Sequence, residues 1–351
     1  MSTEREENLR MLRDSVAAVA PRDGGLGRIR ALRFGLPGFD RAVWRQICEM
    51  GWVGLRVPEA DGGAGLGMAE FCALAEELAA GLAPEPLVVC ACAARALPSE
   101  DLLKLLSGDQ VVIPAWQERA DTVEPGHDTV FEAGHVTGRK VFVPMAAGAD
   151  SFLVAVRGGL ALVRADAPGV HLATADTQDG GHYGTLSLAG APGRFISGDL
   201  SDAIEEAALL TAASLLGVME RSFELTLDYL RTRKQFGRPI GSFQALQHRA
   251  ADLKLQCALT RASVESAAAV LDAGAPRPQR QAAVSRAKAR AATAALLVTR
   301  EGIQMHGGIG YTDEYDVGLY LRRAMVLANA FGSARLHRSR YAAIVPEQVE
   351  E

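Results

Sequence analysis

A chain of 351 residues is long enough to bury a substantial core and to hold two or three domains. Hydrophobic residues make up 48% and charged residues 23%, which is a globular composition. The net charge of −5 argues against broad nucleic-acid binding, which requires excess cation facing phosphate.

The first 110 residues read as helical. FDRAVWRQICEMGW and MAEFCALAEELAAGL carry apolar residues three and four apart, the period of a helix face packed on a core. Between them VPEADGGAGLG reads as a turn. It is not followed by Lys-Ser/Thr and does not open from a strand, so it lacks what a phosphate-binding loop needs. The pattern then changes. Across residues 111–198 the short runs VVIPAW, HVTGRKVFVP, SFLVAVRGGLALV and GTLSLAG, rich in valine and phenylalanine and split by glycine and proline, predict strands of a β-domain.

Helical character returns at Asp199. The spacing predicts a bundle of four or more helices over about 202–231, 242–273, 278–305 and 314–330, followed by a short tail helix. Helices this long are unstable alone and must bury their apolar faces on one another. Ser242 is the expected cap of the second. Domains at 1–110, 111–198 and 199–351 make an α+β architecture: an N-terminal helical domain, a middle β-domain and a C-terminal four-helix bundle.

Two junctions in the last third carry chemistry. RKQFGRPIGSFQ, Arg233 to Gln244, crowds cations, an aromatic ring and a glycine turn between two helices, which suits a dinucleotide: charge for phosphate oxygens, a flat surface for a ring, a bend for close approach. REGIQMHGGIGYTDEY places Gly307, Gly308 and Gly310 after Gln304. A helix end that dissolves into glycines exposes backbone N–H groups able to meet a diphosphate or adenine, although glycine also simply ends helices. The five cysteines form no CxxC pair and sit in apolar helical surroundings, which predicts buried, reduced thiols. His248 and His306 are isolated from Cys or carboxylate partners, so no metal is expected. With MSTEREENLR charged from its fourth residue and no apolar run of spanning length, the chain is expected to be cytoplasmic and soluble.

Taken with VPEADGGAGLG (57–67) and TGRKVFVPMAAGAD (137–150), the segments RTRKQFGRPIGSFQ and IQMHGGIGYTDEYDVGLYLRR (303–323) resemble the acyl-CoA dehydrogenase family in both order and spacing, over most of the chain. The resemblance implies an FAD-dependent enzyme that desaturates an acyl-CoA thioester and passes electrons to an acceptor flavoprotein. It also implies assembly through the bundle as a homodimer or tetramer, or as a heterotetramer of unlike chains. In the family the ADP half of the flavin lies against the neighbouring subunit's bundle. The matching positions are Arg233, Gln235, Phe236, Gln304, Gly307 and Gly308, all chemically suitable.

The flavin-ring half departs from the family pattern. A Thr-Glu-Pro segment with a glycine-serine loop is replaced by AWQERADTVEPG, with Gln117 and Arg119 flanking Glu118. A Trp-Ile-Thr segment is Phe142-Val143-Pro144, and Pro144 has neither hydroxyl nor N–H to donate. Desaturation needs a carboxylate to take the low-acidity Cα proton. The family's two glutamate positions here hold Phe331 and Ala207, so no catalytic residue is assigned; Glu206 and Glu118 remain as nonstandard candidates. The chain thus keeps what a member gives to its neighbour's flavin and loses much of what it would give to its own, as a partner chain in a heterotetramer would. A self-sufficient dehydrogenase, a flavin monooxygenase and a non-catalytic assembly subunit are the alternatives. Heterotetrameric members often handle bulky thioesters.

Overall fold

The computed structural model describes residues 3–21 and 25–345. Met1, Ser2, residues 22–24 and the last six residues of the expected C-terminal domain lie outside the described residues. Helices come first in the chain: α1 (Thr3–Val16), α2 (Gly27–Leu32), α3 (Arg41–Glu49), α4 (Met68–Ala80), α5 (Leu87–Ala94) and α6 (Ser99–Leu106). Eight strands follow: β1 (Val112–Ala115), β2 (Val130–Glu132), β3 (His135–Pro144), β4 (Ser151–Val156), β5 (Gly159–Arg164), β6 (Val170–Asp176), β7 (His182–Pro192) and β8 (Arg194–Ile196). Next come α7 (Ser201–Thr232), the ribbon β9 (Lys234–Gln235) and β10 (Arg238–Pro239), and then α8 (Gln244–Asp272) and α9 (Arg277–His306). The chain closes with α10 (Gly308–Tyr311), α11 (Val317–Leu327) and α12 (Ala334–Ile344). The predicted α+β order is what the chain adopts.

The chain divides into two compact units. One comprises residues 27–67 and 84–207, the other residues 1–26, 68–83 and 208–351.

In the unit of residues 27–67 and 84–207, two four-stranded sheets run in the orders β1-β4-β5-β8 and β2-β3-β7-β6. Only the β1–β4 pair is parallel among the described strands. β4 is buried along its whole length, as its unbroken SFLVAV run requires. Asp150 ties helix to sheet: it takes a bidentate bond from Arg41 at 2.7 and 3.0 Å and accepts the Val111 N–H at 2.8 Å. Three short or irregular strands, β2, β6 and β8, were not predicted; β6 carries a largely exposed face that gives no apolar run.

In the other unit, the long helices match the periodicity to within a few residues. α7 and α4 approach closely at Gly217, where any side chain would run into the Glu76 backbone. Just beside that contact, the buried Glu76 accepts from Arg261 of α8 at 2.6 and 3.1 Å, and Arg261 also reaches Glu220 of α7 at 2.6 Å. One guanidinium therefore links three helices through a buried pair, which specifies their register more than it adds stability. Ser242 does not cap α8. It lies in a 3₁₀ turn where its hydroxyl donates to the Pro239 carbonyl, and Phe243 occupies the cap position without a side-chain bond. All five cysteines are buried and free.

Candidate functional site

The two glycine-bearing junctions meet at one end of the bundle. α7 ends at Thr232, the Arg233 N–H donates to the Tyr229 carbonyl at 2.8 Å, and the chain reverses through a two-residue hairpin. Gln235 pairs with Arg238 across it. Phe236 (φ 54°) and Gly237 (φ 77°) at its tip are both left-handed, as a type I′ turn demands. Phe236 is 91% exposed, a large apolar ring held out from the chain's own core. Its only ring neighbour among the described residues is Phe243, edge-on at 6.0 Å, over which the Arg238 guanidinium lies at 4.2 Å.

The C-terminus of α9 comes alongside through aromatic packing that the sequence did not announce. Tyr229 stacks on His306 at 4.5 Å, and Tyr315 closes the cluster at 4.8 Å from His306 and 6.0 Å from Tyr229. Burial pushes the His306 pKa down, so the ring is neutral and its Nδ1–H donates to the Gly302 carbonyl at 2.7 Å. Tyr229 sits one helical turn before Arg233 and His306 directly precedes Gly307, so this stack brings Arg233, Gln235 and Phe236 to the same end as Gln304, Gly307 and Gly308. The sequence places aromatic residues beside both junctions but carries nothing that pairs them.

Gln304, Gly307 and Gly308 are exposed. Gly307 adopts φ 66°, ψ −143°, a region open essentially to glycine alone. A side chain at Gly308 would meet nothing within 4 Å. Packing within the chain therefore gives no reason for glycine there. One expectation changes. The glycine run does not leave all its amides free: the Gly307 N–H donates to the Ile303 and Gln304 carbonyls, and the Gly310 N–H to Gly307, because the segment closes into the one-turn helix α10. The groups exposed at this end are the Arg233 guanidinium, the Gln235 and Gln304 amides, the Phe236 ring and the Gly307–Gly308 backbone. That donor set fits the ADP half of a dinucleotide.

The ring-side segments lie in the other unit. A register shift between Lys140 and Val143 in β3 turns Val143 into the core and leaves Phe142 (φ 54°) half-exposed, edge-on to Tyr183 at 6.3 Å. Glu118 is fully engaged. It accepts from Lys140 Nζ at 2.6 Å, from the Asp128 and Thr129 N–H groups at 3.0 and 2.9 Å, and from the Thr129 hydroxyl at 2.7 Å. Burial by itself would raise its pKa, but the Lys140 ammonium and these donors hold it at about 2. A carboxylate so held has almost no tendency to take a proton. Lys140 was missed by sequence reasoning, although its position offered a signal: it follows Val136 and Gly138 on the inward face of β3, where a cation requires a buried counter-ion.

Glu206 is likewise occupied. Arg56 donates to it at 2.8 Å and Arg95 stands 3.5 Å away. Ala207 and Phe331, at the two positions where the family carries glutamate, are both buried apolar side chains. Each carboxylate or carboxylate position considered as a proton acceptor is thus either ion-paired or apolar.

Comparison with known proteins bears on the family and the fold. Sequence models of the acyl-CoA dehydrogenase family match twice, the N-terminal domain over residues 6–98 and the C-terminal domain over residues 200–345. The chain is 34% identical to acyl-CoA dehydrogenase IpdE2 of Mycobacterium tuberculosis, over 95% of this chain and 94% of that protein. Among solved structures it is similar to the Tcur3481–Tcur3483 steroid acyl-CoA dehydrogenase, G363A variant, with a TM-score of 0.87 and 30% identity over 97% of this chain and 98% of that one. It is also similar to the ChsE4–ChsE5 complex of Mycobacterium tuberculosis, with a TM-score of 0.85 and 27% identity over 99% of both chains.

Proposed function

The chain belongs to the acyl-CoA dehydrogenase family of FAD-dependent oxidoreductases, and on that premise we propose that it serves α,β-desaturation of an acyl-CoA thioester as a partner chain, completing a site shared with an unlike dehydrogenase-like chain. The observation that carries this reading is the contrast between its two halves. The residues proposed for the ADP cradle are exposed at one end of the bundle, while Glu118 and Glu206 are locked in ion pairs and Ala207 and Phe331 offer no carboxylate.

In this proposal Arg233 neutralises diphosphate oxygens, Gln235 and Gln304 supply amide donors and acceptors to the adenosine, and Phe236 offers an apolar face. Gly307 and Gly308 let the ligand approach the backbone. Bound FAD supplies the acceptor for the hydride that leaves the thioester's Cβ. The Cα proton needs an unpaired carboxylate, which falls to the other chain. Exposed leucines on the bundle, Leu255 and Leu259 of α8 and Leu297 of α9, support assembly through this region, since such apolar surface is a liability on a monomer. The partition into 1–110, 111–198 and 199–351 assigns the cradle to the last segment. Among the described residues no helix is long and apolar enough to cross a membrane; a cytoplasmic site and a flavoprotein electron acceptor are parts of the same proposal.

The test is an absorbance spectrum of the purified chain, alone and after coexpression with an adjacent dehydrogenase-like gene product. Flavin absorbance and acyl-CoA oxidation that depend on coexpression are expected. A yellow, fully flavinylated chain that oxidises an acyl-CoA by itself overturns the proposal.

A further inference from the structure

A second site lies elsewhere on the bundle. α9 and α12 border a cavity of about 410 Å³ lined by Ser285, Arg286, Arg290, Thr293, Arg338 and Tyr341, with Ala289. Among the described residues no carboxylate lines it. Its charged lining is three arginines, Arg286, Arg290 and Arg338, in a chain whose net charge is −5.

The three guanidiniums at the cavity carry only neutral partners among the described residues. Arg286 donates to the Ser266 hydroxyl at 3.1 Å, Arg290 to the Gln256 side-chain oxygen at 2.7 Å, and Arg338 to the Thr293 hydroxyl at 2.8 Å. Each bond uses one N–H of five, and the Arg290 Nε is buried with no hydrogen-bond partner. A buried, orphaned donor on a cation is costly unless an acceptor arrives. The hydroxyl protons are already committed: Thr293 donates to the Ala289 carbonyl at 3.0 Å, and Ser285 lies 3.3 Å from the His337 Nδ1, which must accept because Nε2 donates to the Phe331 carbonyl. An occupant is therefore held by guanidinium forks, with the Tyr341 ring beside it.

We propose that this cavity binds a small phosphorylated anion, a diphosphate or a phosphate ester. Charge decides between this and a protein carboxylate. One carboxylate offsets one of three guanidiniums, whereas a diphosphate brings roughly three negative charges and enough oxygens to engage several forks at once. The site is also separate from the ADP cradle: Arg290 and Gly307 are seventeen residues apart along α9, about 25 Å at the helical rise.

The probe is inorganic diphosphate, titrated calorimetrically into the whole chain, with its partner chain if the two copurify, in phosphate-free buffer. Arg290→Gln/Arg338→Gln is expected to weaken binding at least tenfold, and Arg164→Gln, at an exposed arginine of β5, to leave it unchanged. Wild-type protein supplies a second reading that needs no variant: diphosphate is expected to shield Arg286, Arg290 and Arg338 from phenylglyoxal, mapped by mass spectrometry. Absence of binding at millimolar diphosphate, absence of shielding, or binding lost with Arg233→Gln but kept in the double variant overturns the proposal. So does a double variant that fails only to assemble with the unlike chain, which assigns the cavity to an acidic protein segment.

Discussion

Replacing Glu118 by glutamine separates the two roles open to that carboxylate. The Lys140 side chain is completely buried and its Nζ lies 2.6 Å from Glu118, so Glu118→Gln leaves an ammonium in the interior without its counter-charge. Breaking one member of a buried pair costs about 3–5 kcal/mol. In a cooperative unit of this size that is a fall in melting temperature of roughly 6–20 °C. The pH dependence gives an independent check. With a folded-state pKa of about 2, against ~4.3 in the unfolded chain, the carboxylate's contribution is complete above pH ~4.3 and is lost as pH falls from there toward 2. Denaturant titrations between pH 2 and 7 should show this acid loss in the wild type and a flatter curve for Glu118→Gln. A variant that melts like the wild type while the assembled enzyme loses turnover refutes the reasoning, because Glu118 would then be the base and its ion pair incidental.

The other predictions address the cradle and the buried imidazole of α12. Arg233→Gln, at an exposed side chain, should leave the melting temperature unchanged while weakening flavin retention about 10–100-fold, the loss of a charge-assisted bond, measured as flavin absorbance after dialysis of the assembled protein. Gly307→Ala forces a side chain into φ 66°, ψ −143° and should destabilise by about 1–3 kcal/mol in denaturant titration, with flavin lost in parallel. His337 is wholly buried; burial, helped by the Lys288 ammonium, pushes its pKa down to about 3. The folded chain therefore keeps the imidazole neutral while the unfolded chain protonates near pH 6.5, so stability should decline as pH falls from about 6.5 toward 3, and His337→Gln should remove that slope.

Much of the architecture was legible because it is written in local periodicity. Steps of three and four fix α7, α8 and α9 to within a few residues, the HVTGRKVFVP alternation gives β3 from His135 to Pro144, and five apolar-flanked cysteines proved buried. β6 was not legible, since its largely exposed face removes the apolar signal. Ser242 misled because a hydroxyl ahead of a helix serves a cap or a turn equally well, and here it lies in the 3₁₀ turn and donates to the Pro239 carbonyl.

The sequence by itself determined which residue types stand at the junctions, and so the chemistry available there: a guanidinium, two amides, a ring and glycines, with phenylalanine and alanine where carboxylates were needed. Only the tertiary structure decided which groups are still free to act. Lys140 lies 22 residues from Glu118, Arg56 150 residues from Glu206, and the Tyr229–His306 stack joins chain segments 77 residues apart. The ionisation and reach of a side chain depend on neighbours within a few ångströms, and those neighbours are supplied by packing between distant segments, which no local pattern encodes.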